Sequence, residues 1–183
     1  MRIISGEYKS RKIYSDSTAR KLRPASDKTR ETLFNILAHR IELDGLKCLD
    51  LFSGTGAYGF EAISRGASSC DFVDVSGKAL EVIRRTAEEL GCSGRVHAIK
   101  ADSLGYIINN SVVYDIIFAD PPYDSDKYIE LIGLVLKKNF KVFVLECSKR
   151  TLQELSGYNQ INEFKVIDKI IGRTSLKFFF RVN

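Results

Sequence analysis

The sequence has few of the residues that build metal sites, disulfide frameworks or membrane spans. Its 183 residues include two histidines and four cysteines, and no two cysteines form a CxxC pair, so no zinc or other metal site is expected. No run approaches the ~20 apolar residues of a membrane helix, and the charged N-terminus lacks the apolar stretch of a signal peptide. We therefore expect a soluble cytoplasmic protein, away from membranes, with reduced thiols.

Positive charge is concentrated at the N-terminus. Residues 1–30 contain nine Lys or Arg and three acidic residues, an excess larger than the net charge of +5 of the whole chain. A basic arm on a nearly neutral body favours a polyanionic partner, although a solvated tail is the alternative. We predict a basic RNA-binding arm or hairpin over residues 1–27 and a separate domain over 28–183. The candidate contacts are Arg2, Lys9, Arg11, Lys12, Arg23 and Arg30.

From residue 47 onward, short apolar runs alternate with amphipathic segments. The pattern predicts strands over 48–52, 70–75, 95–100, 112–119, 140–145, 163–168 and 176–182. It predicts helices over 28–39, 57–65, 78–90, 103–109, 126–138 and 149–157. Such alternation indicates an α/β fold with a mostly parallel sheet covered on both faces. The last two strands lack a helix between them, so we expect them to form an antiparallel hairpin at one edge.

The first strand ends in a glycine-rich turn, DLFSGTGAYG over residues 50–59. Gly54 and Gly56 allow a tight turn and the close approach of a ligand. Asp74 ends the second strand, which lies beside that turn in a doubly wound sheet, so its carboxylate can accept hydrogen bonds from both hydroxyls of an adenosine ribose. Because Asp50 faces the same turn, it would repel a pyrophosphate and attract the ammonium group of S-adenosylmethionine.

Together with Gly59, these glycines also satisfy G-x-G-x-x-G, so the turn alone does not separate S-adenosylmethionine from a nicotinamide cofactor. Asp50 favours S-adenosylmethionine. Asp102 follows the third strand and can accept a bond from the adenine amino group, cap the next helix, or do both. The predicted cofactor contacts are Asp50, Ser53, Gly54, Thr55, Gly56, Asp74, Ser76, Asp102 and Ser103.

The fourth strand ends in Asp120-Pro121-Pro122-Tyr123. The two prolines stiffen the loop and remove N–H donors. An exocyclic amine on a base is a poor nucleophile. Asp120 and the Pro121 carbonyl can each accept a hydrogen bond from one of its two N–H groups. Both acceptors can then stabilise the positive charge that develops on the amine nitrogen. Tyr123 can stack on the extruded base. We therefore predict that residues 120–123 are the catalytic motif of an amine methyltransferase.

These segments resemble the bacterial small-subunit (16S) ribosomal RNA guanine-N2 methyltransferase family, RsmD, over nearly the whole chain. The resemblance is carried by MRIISG at 1–6, LRP at 22–24, KTRETLFN at 28–35, the two motifs above and GRTSL at 172–176. It implies a Rossmann-like class I S-adenosylmethionine-dependent methyltransferase domain over 28–183, with seven strands of which the last is antiparallel. It also implies a guanine in the small subunit or its assembly intermediate as substrate. We expect a monomer.

The sequence departs from the family at two positions. Ser76 stands where relatives often carry a second acid, which would weaken or re-route the ribose and adenine contacts, and Arg173 replaces a more usual Asp. DPPY is shared with adenine-N6 DNA methyltransferases, which remain the alternative, although the chain has no room after the core for a target-recognition region. A nicotinamide oxidoreductase is less favoured, because the chain shows no substrate domain. A non-catalytic RNA-binding module is also less favoured, because it would have no need of the intact DPPY motif. Cytosine-C5 chemistry is excluded because no cysteine lies in a Pro-Cys loop.

Overall fold

A computed structural model describes residues 1–15, 26–122 and 127–182 of the chain. The described strands are β1 Lys47–Leu51, β2 Ser69–Asp74, β3 Val96–Lys100, β4 Ile116–Ala119, β5 Val142–Ser148, β6 Phe164–Ile171 and β7 Thr174–Arg181. The helices are α1 Asp27–Ala38, α2 Ala57–Ser64, α3 Gly77–Leu90, α4 Ser103–Asn109, α5 Tyr128–Val135 and α6 Lys149–Glu154. Two 3-10 turns cover Ser93–Arg95 and Ser156–Gln160.

All seven strands form one sheet in the order β3-β2-β1-β4-β5-β7-β6. β1 to β5 pair in parallel, and β7 runs antiparallel to both β5 and β6. This confirms the predicted Rossmann-like α/β sheet with a terminal hairpin. The last strand, β7, is the antiparallel one, as predicted; it lies between β5 and β6, and β6 forms the edge of the sheet. The order reverses between β1 and β4, the position where such sheets bind ligands.

Each face of the sheet carries its own apolar core. On one face, α1, α2 and α3 pack against alternate strand residues such as Phe118 and Val144. On the other, α4, α5 and α6 pack against the intervening residues such as Ile117 and Phe143. Because both faces are covered, the central strands are largely apolar, and acids in their interior, such as Asp50 and Asp71, lie buried. No helix in the described part of the chain is long and apolar enough to cross a membrane.

The N-terminal segment packs onto the body of the protein. Residues 2 and 12 form a single antiparallel bridge, and Ile3 and Ile13 are buried in the core beside α1. The backbone N–H groups of Ile4 and Ser5 donate to the buried carboxylate of Glu61 in α2, at 2.8 and 3.1 Å. Residues 1–15 are therefore a packed part of the structure, with their basic side chains on its surface.

Several predicted boundaries move for identifiable reasons. Strand β4 begins at Ile116 rather than 112, because the valines predicted to belong to it, Val112 and Val113, are exposed. Strand β5 continues to Ser148, past the predicted end at 145, because β7 pairs with it over seven residues. Helix α5 ends at Val135, three residues earlier than predicted.

Candidate active site

The glycine turn follows β1 and opens helix α2 through a left-handed backbone. Phe52, Gly54 and Gly56 have φ values of 56°, 50° and 74°. A Cβ at Gly54 would meet only the Phe52 carbonyl oxygen, at 3.9 Å, whereas one at Gly56 would lie 2.8 Å from the Phe72 ring. Gly54 therefore faces open space that a ligand can enter, and Gly56 permits close packing against the sheet.

Asp50 lies buried beneath this turn. Its Oδ2 accepts the Gly59 N–H at 3.0 Å, and a side chain at Gly59 would collide with Phe72, since a Cβ there lies 2.3 Å from the ring. Burial raises the pKa of Asp50 to about 8, the hydrogen bond from Gly59 lowers it in part, and the negative charge of Asp74 adds to the rise. A cation placed in the turn would favour the ionised form.

Asp74 links the turn to the next helix. One carboxylate oxygen accepts the Gly54 N–H at 2.8 Å, and the other accepts the Ser76 N–H at 2.8 Å. Each oxygen keeps a second lone pair, so both can still accept from a ligand. The Ser76 hydroxyl caps α3 by accepting the Ala79 N–H at 3.3 Å, which gives this departure from the family pattern a structural role.

The end of β3 meets the same turn. Ser103 is buried, and its hydroxyl accepts the Phe52 N–H at 3.2 Å, so it supports the left-handed residue before the glycines. Asp102 caps α4 by accepting the Gly105 N–H at 3.0 Å, and its other oxygen lies 3.7 Å from the Lys127 ammonium. The capping role predicted for Asp102 is therefore present, and half of its side chain stays exposed.

Ser53 has a buried hydroxyl that has no hydrogen-bond partner within the described ranges. Its backbone N–H donates to the Val73 carbonyl, and its own carbonyl accepts from the Gly56 N–H, so both backbone groups are satisfied. Thr55, in the same turn, is half-buried. An unpaired hydroxyl inside a rigid turn marks a position that a polar ligand can complete.

Asp120 and Pro121 follow β4 beside the turn. The Asp120 carboxyl has its pKa raised well above the usual range, chiefly by burial and then by the negative charges of Glu146 and Asp50. The Pro121 carbonyl accepts from the Tyr128 hydroxyl at 3.3 Å, and Pro122 is exposed. Tyr123 lies outside the described residues, so its stacking role stays a prediction.

Sequence reasoning missed two members of this cluster, Tyr58 and Glu146. The Tyr58 hydroxyl donates a hydrogen bond to Glu146 Oε2, and both residues are buried. The missed signal was available: Glu146 is an acid within an otherwise apolar strand, directly after the predicted end of β5.

The basic residues proposed for nucleic-acid contact divide into three groups. Four are exposed on the packed N-terminal segment: Arg2, Lys9, Arg11 and Lys12. Arg23 lies outside the described residues. The prediction for Arg30 is wrong, because its side chain is wholly buried and donates to Asp27 at 2.6 Å and to the Arg2 carbonyl at 2.7 Å.

The seven-stranded sheet with its reversed last strand, and the acid-lined turn at its switch point, define the class of Rossmann-like methyltransferases. The profile of a family described as Conserved hypothetical protein 95 matches residues 1–180. The chain belongs to this family, which includes the ribosomal RNA small subunit methyltransferases D.

Similar proteins agree with this placement. The enzyme of that name from Buchnera aphidicola subsp. Baizongia pistaciae is 36% identical over 140 residues, covering 76% of this chain and 70% of the relative. Its namesake from Haemophilus influenzae is 32% identical, covering 76% and 72%. A hypothetical protein of Thermus thermophilus superposes with a TM-score of 0.79 over 100% of this chain and 99% of the other; at 21% identity it supports the fold alone.

Proposed function

We propose that the glycine turn binds S-adenosylmethionine. The observation that carries this proposal is that one turn, with room for a ligand at Gly54, contains a buried acid, Asp50, and the Ser53 hydroxyl, which has no hydrogen-bond partner among the described residues. A ligand with an ammonium group and ribose hydroxyls matches these groups, with Asp74 accepting from the ribose. The other proposed cofactor contacts belong to the same turn and to the residues that follow β2 and β3: Thr55, Gly56, Ser76, Asp102 and Ser103.

The catalytic proposal rests on Asp120 and Pro121. Bound S-adenosylmethionine supplies an electrophilic methyl group on a positively charged sulfur. Asp120 accepts one N–H of an exocyclic amine and the Pro121 carbonyl accepts the other, using the lone pair that Tyr128 leaves available. Both acceptors stabilise the charge that moves onto the amine nitrogen. Pro122 stiffens the loop, and Tyr123 stacks on the base.

The proposed substrate is guanine N2 in small-subunit ribosomal RNA, in the subunit or its assembly intermediate. The names of the Buchnera and Haemophilus relatives support ribosomal RNA as the substrate class, and the exposed basic residues of the N-terminal segment suit its phosphates. We accordingly divide the chain into an RNA-contacting segment, 1–27, and a methyltransferase domain, 28–183, and expect a cytoplasmic monomer.

The test is transfer of a labelled methyl group to small-subunit particles, free ribosomal RNA and DNA, followed by nucleoside analysis. We expect N2-methylguanosine from particles or free RNA. N6-methyladenosine in DNA would instead support the alternative function. Calorimetric titration with S-adenosylmethionine and with NAD tests the ligand separately, and tighter binding of NAD would contradict the cofactor assignment.

A further inference from the structure

Three acids, Asp50 on β1, Asp120 directly after β4 and Glu146 on β5, point to one face of the sheet. Asp50 pairs with Phe118, and Phe118 pairs with Val144 across the next ladder. Alternate residues along a strand share a face. Asp120 comes two residues after Phe118, and Glu146 comes two residues after Val144, so their side chains lie on the same face as Asp50. The two carboxyls therefore belong to adjacent strand ends.

Tyr58 fixes the second of these acids from the helix above. Its ring stacks on Phe118, with centroids 5.7 Å apart and planes at 22°, and its hydroxyl donates to Glu146. Glu146 is 4% exposed. A hydroxyl donor stabilises a carboxylate more than a protonated acid, so the hydrogen bond from Tyr58 favours the charged form of Glu146 in the cluster that includes Asp120.

We propose that Glu146, held by Tyr58, is a positioning residue that acts through Asp120 and makes it a stronger acceptor for the proton released by the methylated amine. This inference rests on the proposed function. The nitrogen forms its bond to the methyl carbon while the carbon–sulfur bond breaks and leaves its electron pair on sulfur. The N–H bond then breaks, its electron pair stays on nitrogen, and the proton passes to the Asp120 carboxylate.

The surroundings allow this coupling. Asp120, directly after β4, Asp50 on β1 and Tyr58 on α2 are described titratable groups on the same side of the sheet as Glu146. On β7 its partner is the apolar Leu176. The nearby cation Lys177 points to the opposite face, where it pairs with Asp168 at 2.9 Å. The negative charge of Glu146 is one of the causes that raise the pKa of Asp120.

Carboxyl NMR of the unliganded protein tests the coupling without any turnover. The Asp120 signal, assigned with Asp120→Asn, is titrated in the wild type and in Glu146→Gln, which keeps an oxygen for the Tyr58 hydroxyl but loses the charge. We expect the Asp120 midpoint to fall by at least about one pH unit. Asp71→Asn is the matched control, because it neutralises a buried acid on the other face of the sheet; its Asp120 midpoint should not move.

Single-turnover methyl transfer against pH gives the functional readout. In Glu146→Gln the acid limb should move to lower pH and the plateau rate should fall, because Asp120 becomes a weaker base. Tyr58→Phe keeps the ring stack, and it should move the acid limb of the pH–rate profile in the same direction by a smaller amount. If Glu146→Gln does not fold, Tyr58→Phe is the variant that tests the inference. An unchanged midpoint and limb, in variants that fold, would overturn the inference. Lack of transfer by the wild type would instead refute the proposed function, while the NMR titration would still test the coupling.

Discussion

Asp50→Asn should make the unliganded protein more stable at neutral and basic pH while weakening binding of S-adenosylmethionine. The side-chain oxygen of asparagine can still accept the Gly59 N–H, the hydrogen bond seen at 3.0 Å, and its volume is nearly that of aspartate. The substitution therefore removes one buried negative charge with little change in packing.

The magnitude follows from the pKa of Asp50. Burial raises it from an ordinary 3.8 to about 8, so between these values the folded protein holds a proton that the unfolded chain has released. The free energy of unfolding must then fall with rising pH, by up to ~1.4 kcal/mol per pH unit from this group. Asparagine does not titrate. From pH 5 to pH 8 the variant should gain about 2–4 kcal/mol relative to wild type, with little difference below pH 4.

Urea unfolding at several pH values, without ligand, measures this difference directly. Asp71→Asn serves as the control, because its carboxylate has positive or donating partners in His97 at 2.7 Å and Tyr114 at 2.6 Å, and neutralising it should lower stability. Addition of S-adenosylmethionine should stabilise the wild type and stabilise Asp50→Asn much less. Parallel stability curves for wild type and Asp50→Asn would refute both the buried-charge argument and the ammonium role that depends on it.

Three further predictions concern the other parts of the site. Asp74→Ala should weaken S-adenosylmethionine binding by roughly 1–3 kcal/mol in calorimetry; unchanged affinity would exclude it from the ribose contact. Asp120→Ala should slow single-turnover transfer by about 10²–10³ while Tyr123→Phe stays active, and an Asp120→Ala enzyme near wild-type speed would mean that the carboxylate is structural. Lys9→Ala with Lys12→Ala should flatten the salt dependence of RNA binding by about one unit of slope per phosphate contact, and an identical slope would place the RNA elsewhere.

The sequence was sufficient to predict the sheet and the glycine turn after its first strand, because apolar runs and glycine turns are local signals. It was less informative where distant segments decide the outcome. The extension of β5 through Glu146 depends on pairing with β7, which is contributed by residues about thirty positions later. The burial of Arg30 depends on the packed N-terminal segment, whose Arg2 carbonyl accepts from it. The sequence analysis took Arg30 to be an exposed nucleic-acid contact, and the folded context reverses that expectation.

The number of partners that each buried acid has separates structural acids from those of the site. Glu61 is wholly buried, and its carboxylate accepts from two backbone N–H groups and from Arg65 at 2.8 Å. Asp50 is almost as buried, yet its carboxylate receives one hydrogen bond within the described residues, from Gly59. A buried carboxylate with few partners costs stability, and a cationic ligand offsets that cost only when it is bound. The incomplete pairing of Asp50 is therefore a physical reason to assign it to binding and to assign the fully paired Glu61 to the fold.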